Sequence, residues 1–390
     1  MTIGIDKIGF ATSQYVLDMA DLAQARGVDP EKFSVGLMLD ALSITPISED
    51  IVTLAASASQ TILDQADKAA IDMVILATES GIDQSKAASI YVHSLLDIQP
   101  FARSIEIKEA CYAATAALNY AKLHVAANPD SKVLVIASDI AKYGIHASGE
   151  PTQGAGAVAM LVTKNPRILS FNDDNVAQTR DVMDFWRPNY SDTPFVNGMY
   201  STKQYLDSLK TTWEEYQQRN QSGLEDFTAF CLHLPFPKLA LKGLQKLMTR
   251  ELPKEKQAEL VANFESSITY SRQVGNIYTG SLYLGLLSLL ETSRTLKAGD
   301  RIALFSYGSG AVSEIFSVTL VSGYEKMLET NRLDSLTQRI PLSVTDYEKL
   351  FYQELVLDQE GSTSFETYKT GAFRLSHIDQ HQRIYKANDN

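Results

Sequence analysis

Short, strongly apolar runs punctuate this chain, and longer stretches with apolar residues at helical spacing lie between them. In the first half, DMVILATES predicts a strand ending at Glu79, and SKAASIYVHSLL predicts a helix after it. RSIEIKEA then predicts a second strand ending beside Cys111, followed by a helix of small residues, YAATAALNYAKLHVAA. The strand KVLVIAS, a polar loop through Thr152 and the glycine-rich strand GAGAVAMLV complete that half. The second half repeats the order. DFTAFCLHL ends near His233, a helix starts around Lys238, and GNIYTGSLYLGLLSLLE gives a small-residue helix starting near Asn276. RIALFSY and GSGAVSEIFSVTL close the unit.

Strands alternating with helical crossovers define an α/β fold. The match of GAGAVAML to GSGAVSEIF, each after an apolar strand and a small-residue helix, predicts two related halves packed as one five-layered αβαβα body. We place the first half at residues 1–165, carrying Glu79 and Cys111, and the second at 166–390, carrying His233 and Asn276. An insertion over about 166–223 holds Phe171, Phe185, Trp186, Tyr190, Tyr200, Tyr205 and Trp213. It is too aromatic for a free linker and is expected to fold over the site.

Composition narrows the picture. The 390 residues carry 35 Lys+Arg against 47 Asp+Glu, a net charge of -12, which argues against a general binder of nucleic acid or anionic membrane. Two cysteines, Cys111 and Cys231, imply no disulfide framework and favour a reducing compartment. The first residues, MTIGIDKIGF, do not read as a secretory signal, and the apolar runs are strand-length, so a cytoplasmic location is expected.

Three residues carry candidate chemistry. Cys111 would sit near a helix N-terminus, where the helix dipole and free N–H groups lower a thiol pKa, although a buried structural cysteine would look similar in isolation. Glu79 ends an apolar strand, where a carboxylate is costly unless it is hydrogen-bonded or functional and where its pKa can be tuned toward that of a general base; a solvent-side turn residue is the plainer alternative. His233 ends the matching strand of the second half, with Pro235 and Pro237 after it, so pseudo-symmetry would bring it toward Glu79; a satisfied core histidine is the alternative. Cys231 and His233 form a C-x-H pair, but no second ligand pair accompanies it, so Cys231 reads as core and the protein as metal-free. The glycine-rich segments match neither a phosphate loop nor a dinucleotide fingerprint and point to close backbone packing.

Taken together, ATESG, KEACYAAT, SDIAKYG, EPTQGAGAVAML, CLHLPFPKLALKG and VGNIYTGSLYLGL resemble the hydroxymethylglutaryl-CoA synthase family, bacterial type, of the thiolase superfamily. The resemblance spans nearly the whole chain. It implies a thiolase fold and a homodimer that condenses acetyl-CoA with acetoacetyl-CoA to 3-hydroxy-3-methylglutaryl-CoA in the mevalonate pathway. No cofactor is implied, CoA thioesters being the substrates. Cys111 would carry the acetyl group, Glu79 would remove a methyl proton, and His233 would place and polarise acetoacetyl-CoA. Backbone N–H groups at the start of the Cys111 helix and around Ser309 are candidates for an oxyanion hole. Lys238 and Lys242, one helical turn apart, would hold CoA phosphates, with Asp29 and Pro30 near the nucleotide end. Tyr143, Thr152, Ser201, Asn276 and Ser309 match substrate-contacting positions. Leu234 and the run ALKG depart from the family pattern. A ketoacyl carrier protein synthase on the same fold would need no carboxylate base, so Glu79 discriminates against it. A silent acyl-CoA binder would retain no acetyl group.

Overall fold

The computed structural model describes every residue except Asp192, Thr367, Asp389 and Asn390. Its main sheet is built from β1 (Ile3–Thr12), β2 (Ile71–Ala77), β3 (Arg103–Ile107), β4 (Lys132–Ala141), β5 (Gly154–Lys164), β6 (Leu169–Phe171), β7 (Val176–Thr179), β8 (Ala229–Leu232), β9 (Arg301–Gly308) and β10 (Val312–Leu320). Along the sheet the order is β8-β9-β10-β6-β1-β5-β4-β2-β3, with β7 also paired to β10. The principal helices are α1 (Ile51–Gln60), α2 (Ala88–Leu95), α3 (Ala113–Ala127), α4 (Gly198–Asn220), α5 (Pro237–Leu247), α6 (Lys254–Ile268) and α7 (Ser281–Thr292).

The internal repeat is visible in the pairing. β2 runs parallel to β4, and β4, β5 and β1 follow as antiparallel neighbours. In the second half β8 runs parallel to β9, and β9, β10 and β6 follow in the same way. The first half has an additional outer strand, β3, parallel to β2. The two half-sheets are joined edge to edge, because β6 pairs with both β10 and β1.

The strand sequences explain the layers. Met73, Ile75 and Ala77 of β2 face one core and Val74 and Leu76 face another, so the run is apolar throughout because both faces are covered. The central core takes α3 and α7 between the half-sheets: Ala113, Ala114, Ala117 and Ala121 keep α3 thin enough to fit, and Leu282 to Leu290 of α7 are buried. α1 and α2 cover the outer face of the first half, and α4, α5 and α6 cover that of the second. This is the five-layered thiolase-like architecture expected from the sequence.

Two segments were not legible. The polar C-terminal residues form a hairpin of Phe373–Asp379 with Gln382–Ala387. It docks on the start of α1, where Asp50 accepts hydrogen bonds from Arg383 Nη1 at 3.1 Å and Tyr385 Oη at 2.6 Å. The helix expected near Asn276 starts at Ser281, after a short turn over Tyr278–Gly280. Among the described residues no helix is long and apolar enough to cross a membrane.

Candidate active site

β2 stops at Ala77, and the turn after it is held by the carboxylate of Asp139 near the end of β4. Asp139 Oδ1 accepts from Thr78 Oγ1 at 2.8 Å and from the N–H groups of Glu79 and Ser80 at 2.9 and 3.0 Å. Its Oδ2 accepts from Thr279 Oγ1 at 2.5 Å, so one buried carboxylate ties the Glu79 turn to the segment that leads into α7. Cys111 comes from the other side, in the bend between β3 and α3, where Ala110 adopts a left-handed φ of 41°. The bend brings the Cys111 thiol to 3.0 Å from Glu79 Oε1.

The electrostatics correct one expectation from the sequence. The Cys111 thiol is pushed well up, not down, first by burial and then by the charge of Glu79 and its hydrogen bond to it. A helix terminus alone would favour the thiolate, but the sequence does not reveal the carboxylates folded around the sulfur. Burial, reinforced by the negative charge of Asp139, also pushes Glu79 up to about 8, against the Cys111 hydrogen bond and the charge of Arg187. The resting pair is therefore a neutral thiol donating to a carboxyl group of raised pKa.

His233 follows the last residue of β8 as Thr78 follows β2, in line with the repeat. It is 3% exposed, its N–H donates to Phe305 O at 2.8 Å, and its carbonyl accepts from Tyr205 Oη at 2.9 Å. Burial lowers its imidazole to about 3, so the ring is neutral, and Nδ1 has no partner among the described residues. Among those residues no hydrogen bond joins it to Cys111 or Glu79. Cys231, two residues earlier, lies in the central core, with its thiol pushed up to about 12 by burial.

Asn276 and Tyr143 do meet. Asn276 Nδ2 donates to Tyr143 Oη at 3.0 Å, while its Oδ1 accepts from the Tyr278 N–H and Ser281 Oγ and so shapes the approach to α7. Thr152 joins them through its carbonyl, which accepts from Asn276 N at 3.1 Å. Gly154 is required here, since a Cβ would lie 2.7 Å from Asn276 O. Asp29 and Pro30 precede the short helix Glu31–Ser34, and Leu37 beyond it accepts from Lys238 N at 3.2 Å. Lys238 and Lys242 are both exposed on α5. One backbone hydrogen bond thus ties the start of α5, which carries the phosphate candidates, to the segment that follows the nucleotide-end candidates. Ser201 lies in the first turn of α4, and no hydrogen bond joins it to the other candidates among the described residues.

Glu79 and Ser309 line a cavity of about 780 Å³, walled on the insertion side by Phe185, Trp186 and Arg187. Arg187 Nη2 donates to Glu79 O at 2.7 Å. The other insertion aromatics behave differently: Tyr205 and Trp213 are on the buried face of α4, whereas Tyr190 and Tyr200 are exposed. Sequence reading missed Asp139, Tyr278 and Arg187. Asp139 carried the same signal as Glu79, a carboxylate ending the apolar run KVLVIAS. Tyr278 packs edge-on against Tyr143 at 5.8 Å with a left-handed φ of 44°, which no local motif announces.

Comparison with known proteins agrees with the fold. Residues 2–166 match the family model "Hydroxymethylglutaryl-coenzyme A synthase N terminal", and residues 175–266 and 255–388 match its C-terminal counterpart. The chain is 50% identical to hydroxymethylglutaryl-CoA synthase of Enterococcus faecalis over 387 residues, covering 99% of this chain and 100% of that one. A crystal structure described as HMG-CoA synthase complexed with CoA superposes with a TM-score of 0.99 at 67% identity, over 100% of both chains. A second solved structure, MvaS in complex with 3-hydroxy-3-methylglutaryl coenzyme A, does so with a TM-score of 0.88 at 32% identity, over 100% of this chain and 99% of that one. With its Cys111–Glu79 pair, its duplicated halves and these likenesses, the chain belongs to the hydroxymethylglutaryl-CoA synthase family.

Proposed function

We propose that Cys111, Glu79 and His233 divide the chemistry of this enzyme, which condenses acetyl-CoA with acetoacetyl-CoA and water to 3-hydroxy-3-methylglutaryl-CoA and CoA. The observation that carries the assignment is the 3.0 Å contact between the Cys111 thiol and Glu79. The Cys111 sulfur attacks the acetyl carbonyl, and its proton leaves with the CoA sulfur as free thiol. Glu79, with a pKa near the working range, then removes a proton from the acetyl methyl group. The resulting enolate attacks the ketone of acetoacetyl-CoA, and a proton passes to the new alkoxide. His233 suits the ketone side, because its neutral ring and unpartnered Nδ1 leave a buried hydrogen-bonding group for the substrate. Water hydrolyses the remaining Cys111 thioester, releasing the product and restoring the thiol.

For the oxyanion, the N–H groups of Tyr112 and Gly310 are already engaged with Glu109 O and Asp184 Oδ1, which favours those of Cys111 and Ser309 themselves. Tyr143, Thr152, Asn276 and Ser201 are assigned to the substrate, and Lys238 and Lys242 to the CoA phosphates beside Asp29 and Pro30. We infer a homodimer, because the outer edge of β3 is unpaired among the described residues and Phe101 beside it is 91% exposed. A reaction that needs a free thiol fits the reducing cytoplasm.

Intact-protein mass after mixing with acetyl-CoA, then with acetoacetyl-CoA, tests the assignment. Wild type should take one acetyl group at Cys111 and discharge it as product, and Cys111→Ala should take none. Glu79→Ala removes a group that raises the thiol pKa, so acetylation should persist while condensation falls by about 100-fold or more. Condensation at the wild-type rate in that variant would rule out Glu79 as the base.

A further inference from the structure

Helix α3 turns one polar face toward the second half of the molecule. Tyr112, Thr115 and Asn119 are spaced by three and four residues and so share that face. Opposite them, Ser306 of β9 and Glu314 of β10 are directly paired across the sheet and point to the same side. Thr115 Oγ1 donates to Ser306 Oγ at 2.7 Å. Glu314 collects the rest: Tyr112 Oη donates to Oε2 at 2.5 Å, and Asn119 Nδ2 and Asn175 Nδ2 donate to Oε1 at 3.0 and 2.5 Å.

Glu314 is 2% exposed, and among the described residues no lysine or arginine pairs with it. Lys122, one turn along α3, bonds Asp173 instead. A buried carboxylate held only by neutral donors is costly to keep, and an apolar residue would pack this seam more cheaply. Its directional bonds do what apolar packing cannot, fixing both the rotation and the register of α3 against β10. Tyr112 is the residue after Cys111, and its placement leaves no slack: a Cβ on Gly308 would lie 2.7 Å from Tyr112 Cβ. Cys111 and Glu79 belong to the first half, whereas His233, Asn276 and Ser309 belong to the second, so this seam joins the Asp139–Thr279 and Asn276–Tyr143 bonds in setting the distance between the two sets.

We propose that Glu314 is a positioning residue for the nucleophile, acting through Tyr112 and Asn119 to hold Cys111 in register with the second half; this rests on the reading of Cys111 as the acetyl carrier. The test is the rate of acetyl uptake at Cys111, followed by rapid quench and intact mass, in wild type, Glu314→Gln and Tyr112→Phe, with melting temperatures from the same preparations. Both variants should acetylate about 10- to 100-fold more slowly at saturating acetyl-CoA with little change in KM, since misplacement acts on the reacting geometry. Combining them should add little, because the two groups form one link. Adding Asn119→Asp to Glu314→Gln returns a carboxylate to the seam and should recover part of the rate. Wild-type acetylation in Glu314→Gln with only a lower melting temperature would overturn the proposal. If that variant does not fold, wild-type acetylation in Tyr112→Phe would overturn it equally. Absence of acetyl uptake by the wild type would instead overturn the acetyl-carrier reading on which it stands.

Discussion

Single side chains in this protein owe their properties to burial more than to neighbouring sequence. Glu49 is the clearest case outside the active site. It is 4% exposed, its Oε2 has no partner among the described residues, and burial raises its carboxyl from 4.5 to about 7 against hydrogen bonds from Ser13 and Gly371. The folded state therefore holds a proton that the unfolded chain has released between these values. Stability is complete below about pH 4.5 in this respect and falls as pH rises through 7, by about 3 kcal/mol for this group. Glu49→Gln should flatten that decline, with urea melts at pH 5.5 and 8.5 converging; an unchanged pH slope would show that Glu49 is not the group responsible. The same physics separates what could be read from what could not. Glu79 was legible because a carboxylate closing an apolar strand demands an explanation, whereas the thiol of Cys111 is raised first by burial and then by Glu79 and Asp139, brought to it from 32 and 28 positions away in the chain.

Elements were legible where their pattern was strong. The runs over Ile71–Ala77 and Lys132–Ala141 announce strands because both faces are buried, and the alanine-rich run before Asn128 announces a helix that must fit between sheets. The C-terminal hairpin announces nothing. Its turn places Gln380 and His381 at φ of 46° and 65°, where Asn-Gly would be the readable signal, and few of its residues are buried. Its attachment concentrates on Asp50, whose Oδ1 caps α1 by accepting from Val52 N at 3.0 Å while Oδ2 receives Arg383 and Tyr385. These two tasks can be separated. Asp50→Asn keeps a good cap but leaves Arg383 without a carboxylate, and should lower stability by about 1 kcal/mol. Asp50→Ala loses both and should lower it by about 3 kcal/mol. Urea denaturation gives the ordering, and earlier proteolysis after Gly371 in both variants would locate the loosened element.

At the scale of the whole molecule, the duplication could be read from the repeated order of parts, but its closure could not, since β6 is only three residues long and looks like loop. β3, announced as a strand by RSIEIKEA, has no counterpart in the second half among the described residues, and its free edge underlies the proposed dimer. Light scattering should give twice the chain mass for the wild type. Phe101→Lys, which puts a charge beside that edge, should shift the protein toward the monomer at low concentration, and an unaltered mass would move the interface elsewhere. The joining of the half-sheets also bears on how the chain is made. β1 leaves the ribosome ahead of the strands it pairs with, since its neighbours in the sheet are β5 and β6, more than 140 residues further along. At about 5–20 residues per second it waits roughly 10 to 30 seconds, a bare apolar ribbon in a crowded cell, before a partner strand exists. Holding that first strand out of other associations is therefore a task for the nascent chain's surroundings, and slowing translation before Gly154 should lower the yield of folded enzyme more than slowing it after Leu320.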